Sequence, residues 1–318
     1  MKLAGAKVLV TGAAGFLGSH VVDALVSEEA EVTALDDLST GVLANLDAAR
    51  ARIRFVRVDV RDRAGVVEAM RGQQLVFHFA ANADVPRSAR EPDYDFAVNV
   101  VGGQNVLRAA VDQGARVVFA SSAAVYGPPA KAPVDEQHPL MPISPYGAAK
   151  VAVEKLGFAY AEVYGLPFTA VRIFNTYGER QPRYVMFDLL RKIAVDPARL
   201  EVLGTGDQRR SYCHVSDAAR LFLLAGASDE AVGQAVNLAG ESTVSIRELA
   251  SLIARLLGRS EMSFTFTGQS WPGDISLLSG ASTWARTHLG WTPTVPLDEG
   301  ILRLVDWLER QFGWNLRA

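Results

Sequence analysis

Tyr146 and Lys150 stand four residues apart in the run Ser144-Pro145-Tyr146-Gly147-Ala148-Ala149-Lys150. On a helix that spacing puts both side chains on one face, about one turn apart. A neighbouring ammonium favours the ionised phenol, so Lys150 is expected to bring Tyr146 down from about 10 toward the working pH. A phenol tuned in this way takes a proton from a substrate hydroxyl or returns one. Upstream, Arg116-Val117-Val118-Phe119-Ala120 reads as a buried parallel strand, with Ser121 and Ser122 at its C-terminal end. Open parallel sheets bind their ligands at that end. A hydroxyl donates and accepts at once, which suits Ser122 to a relay between Tyr146 and a substrate hydroxyl. For Ser121, contact with a ligand and capping of the following turn stand as equal readings.

A second group of residues suits a phosphate-bearing cofactor. Thr11-Gly12-Ala13-Ala14-Gly15-Phe16-Leu17-Gly18 follows the apolar run Val8-Leu9-Val10 and precedes a stretch, residues 19–28, with Val21, Val22, Leu25 and Val26 at helical spacing. Strand, tight glycine turn and helix are the order a dinucleotide site requires. Gly12 permits the turn, Gly15 lets backbone approach a pyrophosphate, and Gly18 lets the helix pack on the strand. The diphosphate then rests on the open N–H groups of the helix start. A second short strand, Glu31-Val32-Thr33-Ala34-Leu35, ends at Asp36, roughly 20 residues past the glycines, where an acid receives a ribose 2′-hydroxyl and repels a 2′-phosphate. NAD is therefore expected rather than NADP. The bland alternative makes Asp36 a loop residue or the cap of a short turn before Leu38.

The elements that must carry these residues alternate through the first half. Residues 53–58 alternate, 75–79 form a buried run, and 94–110 read as one long helix with Val98, Val101, Val106 and Leu107 inward. A helix opens near Pro145 and runs through Val151, Val153, Leu156 and Tyr160 to Gly165, and residues 168–174 add a sixth strand. Such alternation implies an α/β fold with a doubly wound parallel sheet. Residues 1–174 are assigned to this Rossmann-type domain, with a sheet return near 235–239, and 175–318 mainly to a smaller C-terminal α/β lobe that binds substrate. That lobe is expected to hold a loop at 177–182, a helix at 187–194, a strand at 200–203, and helices at 246–257 and 297–308. In the last helix Ile301, Leu304, Val305 and Leu308 share a face. The proline-rich residues 128–142 read as the edge of a lid.

Composition agrees with an enzyme core and gives no case for nucleic acid or an anionic membrane: 318 residues, 49% hydrophobic, formal net charge −3 and pI near 6.0. Any phosphate must be held by local groups. The single Cys213 excludes an internal disulfide and reads as a small buried hydrophobe in a reducing compartment. His20, His78, His138, His214 and His288 have no metal-ligand spacing, so no metal is expected. No apolar run reaches the roughly 20 residues of a membrane span, and the start of the chain is unlike a signal peptide. A cytoplasmic protein is expected.

Taken in order, these features resemble the extended short-chain dehydrogenase/reductase family, the NAD-dependent sugar-nucleotide epimerases and dehydratases, over residues 8 to about 307. The resemblance implies cofactor contacts from Gly12, Gly15, Phe16, Leu17, Gly18 and Asp36, adenine contacts from Asp59 and Val60, and a lining loop, His78-Phe79-Ala80-Ala81-Asn82-Ala83, with Phe79, Ala80, Ala81 and Ala83 against the cofactor. Asn99, Ser121, Tyr146, Lys150 and Phe174 complete the cofactor side. It implies catalysis by Ser122, Tyr146 and Lys150, and a substrate side formed by Ser122, Tyr146, Asn175, Val185, Leu203, Arg210, Trp271 and Asp274, with Arg210 on the nucleotide diphosphate. A homodimer through the Tyr94 and Tyr146 helices follows by analogy.

Within the family, 4,6-dehydratases carry Asp then Glu after the hydroxyl residue, and the related decarboxylases a Glu at the second place. This chain has Ala123 and Ala124, and no carboxyl remains there to protonate a leaving hydroxyl. The resemblance therefore implies NAD-dependent epimerisation at C4 of a UDP-hexose, the UDP-glucose/UDP-galactose interconversion, through a 4-keto intermediate. UDP-glucuronate and UDP-N-acetylhexosamine are neighbouring substrates, a keto-sugar reductase is a neighbouring activity, and a non-catalytic NAD sensor is the rival from another class. One departure stands out: Trp271 occupies the place of an arginine two residues before the Gly273-Asp274 pair. Tryptophan cannot make that arginine's bidentate phosphate contact but can stack on a base or ribose. Leu278 falls where bulk limits an N-acetyl group.

Overall fold

The structure, a computed structural model, describes residues 1–269 and 275–318. Its first half alternates as the sequence pattern requires: β1 (Lys7–Thr11), α1 (Phe16–Ser27), β2 (Glu31–Asp36), β3 (Ile53–Arg57), α2 (Arg63–Met70), β4 (Leu75–His78), α3 (Val85–Arg90), α4 (Pro92–Phe96), α5 (Gly102–Gln113), β5 (Arg116–Ser122), α6 (Pro145–Tyr164) and β6 (Phe168–Ile173). The second half contains β7 (Asn175–Tyr177), α7 (Tyr184–Val195), β8 (Arg199–Val202), β9 (Arg209–His214), α8 (Val215–Ala227), β10 (Ala235–Leu238), β11 (Thr243–Ser245), α9 (Ile246–Leu256), β12 (Ser263–Phe266), β13 (Leu277–Leu278), α10 (Thr283–Leu289) and α11 (Leu297–Phe312).

Among the described residues the central sheet has seven parallel strands in the order β3-β2-β1-β4-β5-β6-β10. Covered on both faces, its strands read as apolar runs; Val8, Leu9, Val10, Val76, Phe77, Val117 and Val118 are fully buried. The order reverses between β1 and β4, and the crevice above their C-terminal ends is the binding position of such sheets. The helix α6 starts where the sequence puts it: Ser144 caps Gly147 N at 3.1 Å, Pro145 takes the first position, and Gly165 closes the helix at φ 69°.

The single helix expected over 94–110 is instead three pieces, α4, a wider π-type turn at Ala97–Val101, and α5. The wide turn slips the register, so Val101 is 37% exposed instead of inward, while Asp95 and Asn99 are turned into the interior.

The second lobe has its own core, in which Leu189, Leu190, Leu249, Ile253 and the α11 face of Ile301, Leu304, Val305 and Leu308 are buried together. Around β9 a small sheet gathers β11 on one edge and β13 and β7 on the other, and β8 pairs with β12. The chain also returns to the first lobe. The helix α8 packs in one core with α1, β10 extends the main sheet beside β6, and Trp291, fully buried, donates from its indole to Asp217 O at 2.9 Å. The stretch at 128–142 is tied to the edge of this return by Val134 N to Ser279 O and Ala281 N to Val134 O, both 2.8 Å.

Candidate active site

The turn after β1 leaves room only for glycine. Gly12 has φ 67°, and a Cβ on it would lie 2.6 Å from Ala80 N. A Cβ on Gly18 would lie 2.2 Å from Gly12 O. Gly15 begins α1 with no capping side chain and no acid in the first turn, so the amides of the first turn face the crevice without a competing anion, the arrangement that suits a diphosphate. At the end of β2 the Asp36 carboxylate accepts from Ala14 N at 2.9 Å and Leu38 N at 2.8 Å, and burial pushes its carboxyl upward. It is thus both the turn-holding residue and a carboxylate at the crevice, with acceptor sites left for a ribose hydroxyl. These features fit a dinucleotide.

The loop after β4 is set by Thr11, whose hydroxyl meets His78 Nδ1 at 2.7 Å and accepts from Ala80 N at 3.3 Å. Phe79 packs on Phe222, 4.6 Å between centroids, and Ala81 and Ala83 are half-buried. Other residues expected to touch the cofactor also have protein neighbours. Asp59 is paired with Arg61 at 2.5 Å, and Val60 lies in the core beside Gly102. Phe174 is buried with Tyr126 and Ala239. The Asn99 amide donates to Asn82 O at 3.1 Å and Asp95 Oδ1 at 2.9 Å, and its carbonyl takes Asn82 N at 2.9 Å. Its side chain thereby orders the lining loop.

Ser122, Tyr146 and Lys150 come together. The Ser122 hydroxyl is hydrogen-bonded with the Tyr146 phenol and also caps Ala124 N at 3.2 Å, so turn capping falls to Ser122 and not Ser121. Ser121 turns inward and donates to Glu154, leaving only its backbone for a ligand. Lys150 is 4% exposed; its ammonium donates to Ala120 O at 2.8 Å and lies 5.7 Å from the centre of the Tyr146 ring. The expected lowering of Tyr146 by Lys150 is not what this arrangement gives. Burial, with the nearby Tyr184, pushes the Tyr146 phenol upward, and the Ser122 bond only partly opposes it. Burial also draws Lys150 down to about 8, against Asp95 and Glu154.

Beneath the site lies a polar network absent from the sequence reading. Glu154 and Arg172, 0% and 6% exposed at their side chains, pair at 2.8 Å. Arg172 also donates to Tyr126 Oη at 3.0 Å, and Tyr126 donates to Asn237 Oδ1 at 2.6 Å. Glu154 follows Lys150 by four residues on α6, the one signal that placed it on the same helix face. A second unforeseen residue is Tyr184, at φ 73°, whose hydroxyl donates to Ala83 O at 2.9 Å.

On the substrate side Asn175 donates to Ser211 O at 3.3 Å, Arg210 donates to Arg209 O at 2.9 Å, Val185 is half-buried, and Leu203 is 60% exposed. Leu278 pairs with Arg210 across β13 and β9. Trp271 and Asp274 lie outside the described residues. The loop at 177–182 brings Glu179 Oε2 to 3.3 Å from His214 Nε2 and Glu179 O to 3.0 Å from His20 Nε2. Cys213 is buried and unpaired. Among the described residues no group of three or more His, Cys, Asp or Glu is placed to hold a metal, and no helix is long and apolar enough to cross a membrane.

Comparison with known proteins agrees with this geometry. Residues 8–239 match the model of the NAD dependent epimerase/dehydratase family. A UDP-glucose 4-epimerase from Mycolicibacterium smegmatis is 34% identical, covering 96% of this chain and 99% of its own. A UDP-glucose 4-epimerase from Thermotoga maritima, crystallised with UDP-glucose, superposes with a TM-score of 0.89 at 30% identity, over 96% and 99% of the two chains. A dTDP-glucose 4,6-dehydratase from Streptomyces venezuelae with NAD bound gives 0.90 at 33% identity, over 97% and 98% of the two chains. The glycine turn, the serine–tyrosine–lysine group and these likenesses agree: the chain belongs to the NAD-dependent epimerase/dehydratase family, an enzyme of nucleotide-sugar chemistry whose cofactor is NAD.

Proposed function

We propose that this enzyme epimerises a UDP-hexose at C4, interconverting UDP-glucose and UDP-galactose through a 4-keto sugar. The observation that carries the reading is the pair Ala123 and Ala124 directly after Ser122, Ala123 being 3% exposed. Elimination of water or loss of a carboxyl group calls for an acid beside the sugar, and this turn offers only methyl groups.

Bound NAD supplies the acceptor for the hydrogen leaving C4 and a positive charge beside the phenol. Tyr146, as the phenolate that the positive charges of bound NAD and Arg183 would favour, takes the proton of the 4-hydroxyl and returns it to the same oxygen when hydrogen comes back to the other face of C4. Ser122 holds the same oxygen. Lys150, anchored on Ala120 O, orders the cofactor ribose and contributes charge. Gly12, Gly15, Gly18, Phe16, Leu17 and Asp36 hold the dinucleotide. Asn175, Arg210 and Val185 bound the nucleotide-sugar side, with the second lobe as the substrate lobe. The single unpaired Cys213 suits a cytoplasmic setting, and the apolar faces of α4 to α6 suit a homodimer.

One observation favours a second substrate. Arg183 lies close enough to Tyr146 to favour the phenolate, and no ion pair engages it among the described residues. A C5 carboxylate, as in UDP-glucuronate, would complete that charge. The test is incubation of the purified enzyme with single UDP-sugars and chromatographic resolution of the products, with Tyr146→Phe as an inactive control that still holds NAD. Interconversion of UDP-glucose and UDP-galactose is expected. Conversion of UDP-glucuronate alone would select the second reading, and inertness toward every nucleotide sugar would sink both.

A further inference from the structure

Tyr184 is the first residue of α7, in the second lobe, yet its hydroxyl reaches across to the first lobe and donates to Ala83 O at 2.9 Å. Ala83 ends the loop that lines the cofactor crevice. The reach requires an uncommon backbone: Tyr184 has φ 73°, a left-handed conformation that costs a non-glycine residue of order 1 kcal/mol and persists only where its surroundings hold it. The ring is held by Arg183, whose guanidinium lies 5.3 Å from its centre. Tyr184 is nevertheless 54% exposed, an aromatic surface at the start of α7 that borders the cofactor-lining loop. Its phenol is also a near electrostatic neighbour of Tyr146, second only to burial in raising that group. The segment that Tyr184 reaches runs on into α3, where Ser88 Oγ accepts from Tyr146 N at 3.2 Å, so both tyrosines abut it.

We propose that Tyr184 is a positioning residue that closes the sugar cleft, its phenol joining the two lobes over Tyr146 so that the oxidised sugar cannot leave. This rests on the C4 reading above and explains a need specific to it. When C4 is oxidised, its two electrons and one hydrogen pass to NAD and the hydroxyl proton passes to Tyr146. The 4-keto sugar must then turn over without escaping, because escape strands the cofactor in its reduced form. A hydrogen bond between the lobes, made by a side chain at the mouth of the cleft, resists that escape. The same donor can also be passed to a sugar oxygen as the ketone turns.

The experiment follows bound reduced nicotinamide by absorbance while the holoenzyme turns over its UDP-hexose, for wild type, Tyr184→Phe and Tyr184→Leu. The phenylalanine variant keeps the ring and loses only the donor; the leucine variant loses ring and donor at a half-exposed position. Both are expected to retain NAD on purification and to strand reduced cofactor about tenfold faster per turnover, the factor that one neutral hydrogen bond controls. Free 4-keto sugar should appear in step. A merely structural role would lower thermal stability or turnover without raising the reduced fraction. Unchanged stranding in both variants, in an enzyme whose wild type epimerises, overturns the closure alone. A wild type that turns over no nucleotide sugar overturns closure and function together.

Discussion

At Lys150 the ammonium is buried, bonded to one carbonyl, and drawn down to about 8 from 10.5 by burial, with Asp95 and Glu154 pulling the other way. Between those two pH values the unfolded chain binds a proton that the folded chain has lost, so stability rises with pH across that window. Below about pH 8 both states carry the proton and the cost of burying the charge stands in full. Lys150→Met keeps most of the bulk and removes the charge. In the cofactor-free protein it should raise unfolding stability at pH 7 by roughly 2–3 kcal/mol, and the gain should fade between pH 8 and 10.5, while turnover is lost. A gain that stays level with pH in denaturant melts would contradict the assignment. That the phenol beside it shares its face of α6 was legible, but the direction of its shift was not. Spacing places Tyr146 and Lys150 on one face of α6, whereas the desolvation that dominates depends on how α6 docks against its neighbours, and the next contribution comes from Tyr184, far along the chain.

At the scale of elements, α6 carries more than the proposed catalytic pair, Tyr146 and Lys150. Glu154, one turn beyond Lys150, binds Arg172 of β6 and Ser121 of β5 inside the protein, so one carboxylate fixes the helix to two strands. Glu154→Gln should cost about 3–5 kcal/mol, because it leaves the Arg172 charge buried without its partner; urea unfolding measures it, and a loss under about 1 kcal/mol would remove this pair from any structural role. Five of the six strands were readable because parallel strands covered on both faces become apolar runs, β3 because it alternates at the sheet edge, and α6 because Ser144, Pro145 and Gly165 mark its ends. The helix α8 was not, since it leaves β9 with no glycine or proline between them and is capped by His214 accepting from Ser216 N, an unusual capping residue. The wide turn at Ala97–Val101 shifts the periodicity by a single position, too little for apolar spacing to register. Tyr184 left no mark either, because a left-handed tyrosine looks like any other in sequence.

For the whole molecule, some of the large apolar side chains left on the outside lie along one run of helices. Phe96 is 58% exposed, Val101 37%, Val163 69% and Tyr164 50%, from α4 through α6, where a second copy would cover them. Phe96→Asp combined with Val101→Asp should convert the proposed dimer to monomer in sedimentation at micromolar concentration. A wild type that sediments as a monomer would remove the dimer.

The return of α8 and β10 to the first lobe carries a further implication. The seventh strand and one of its covering helices are encoded downstream of residue 175, so a shortened product ending before them would present the bare flank of β6 and an uncovered α1 to solvent. Such a flank pairs with any extended chain it meets, which makes truncation a route to aggregates instead of a free NAD-binding module. By the same logic, exchange of sugar preference between relatives by recombination must proceed through scattered patches, because no single crossover point separates the part that grips the nucleotide sugar from the part that grips the dinucleotide.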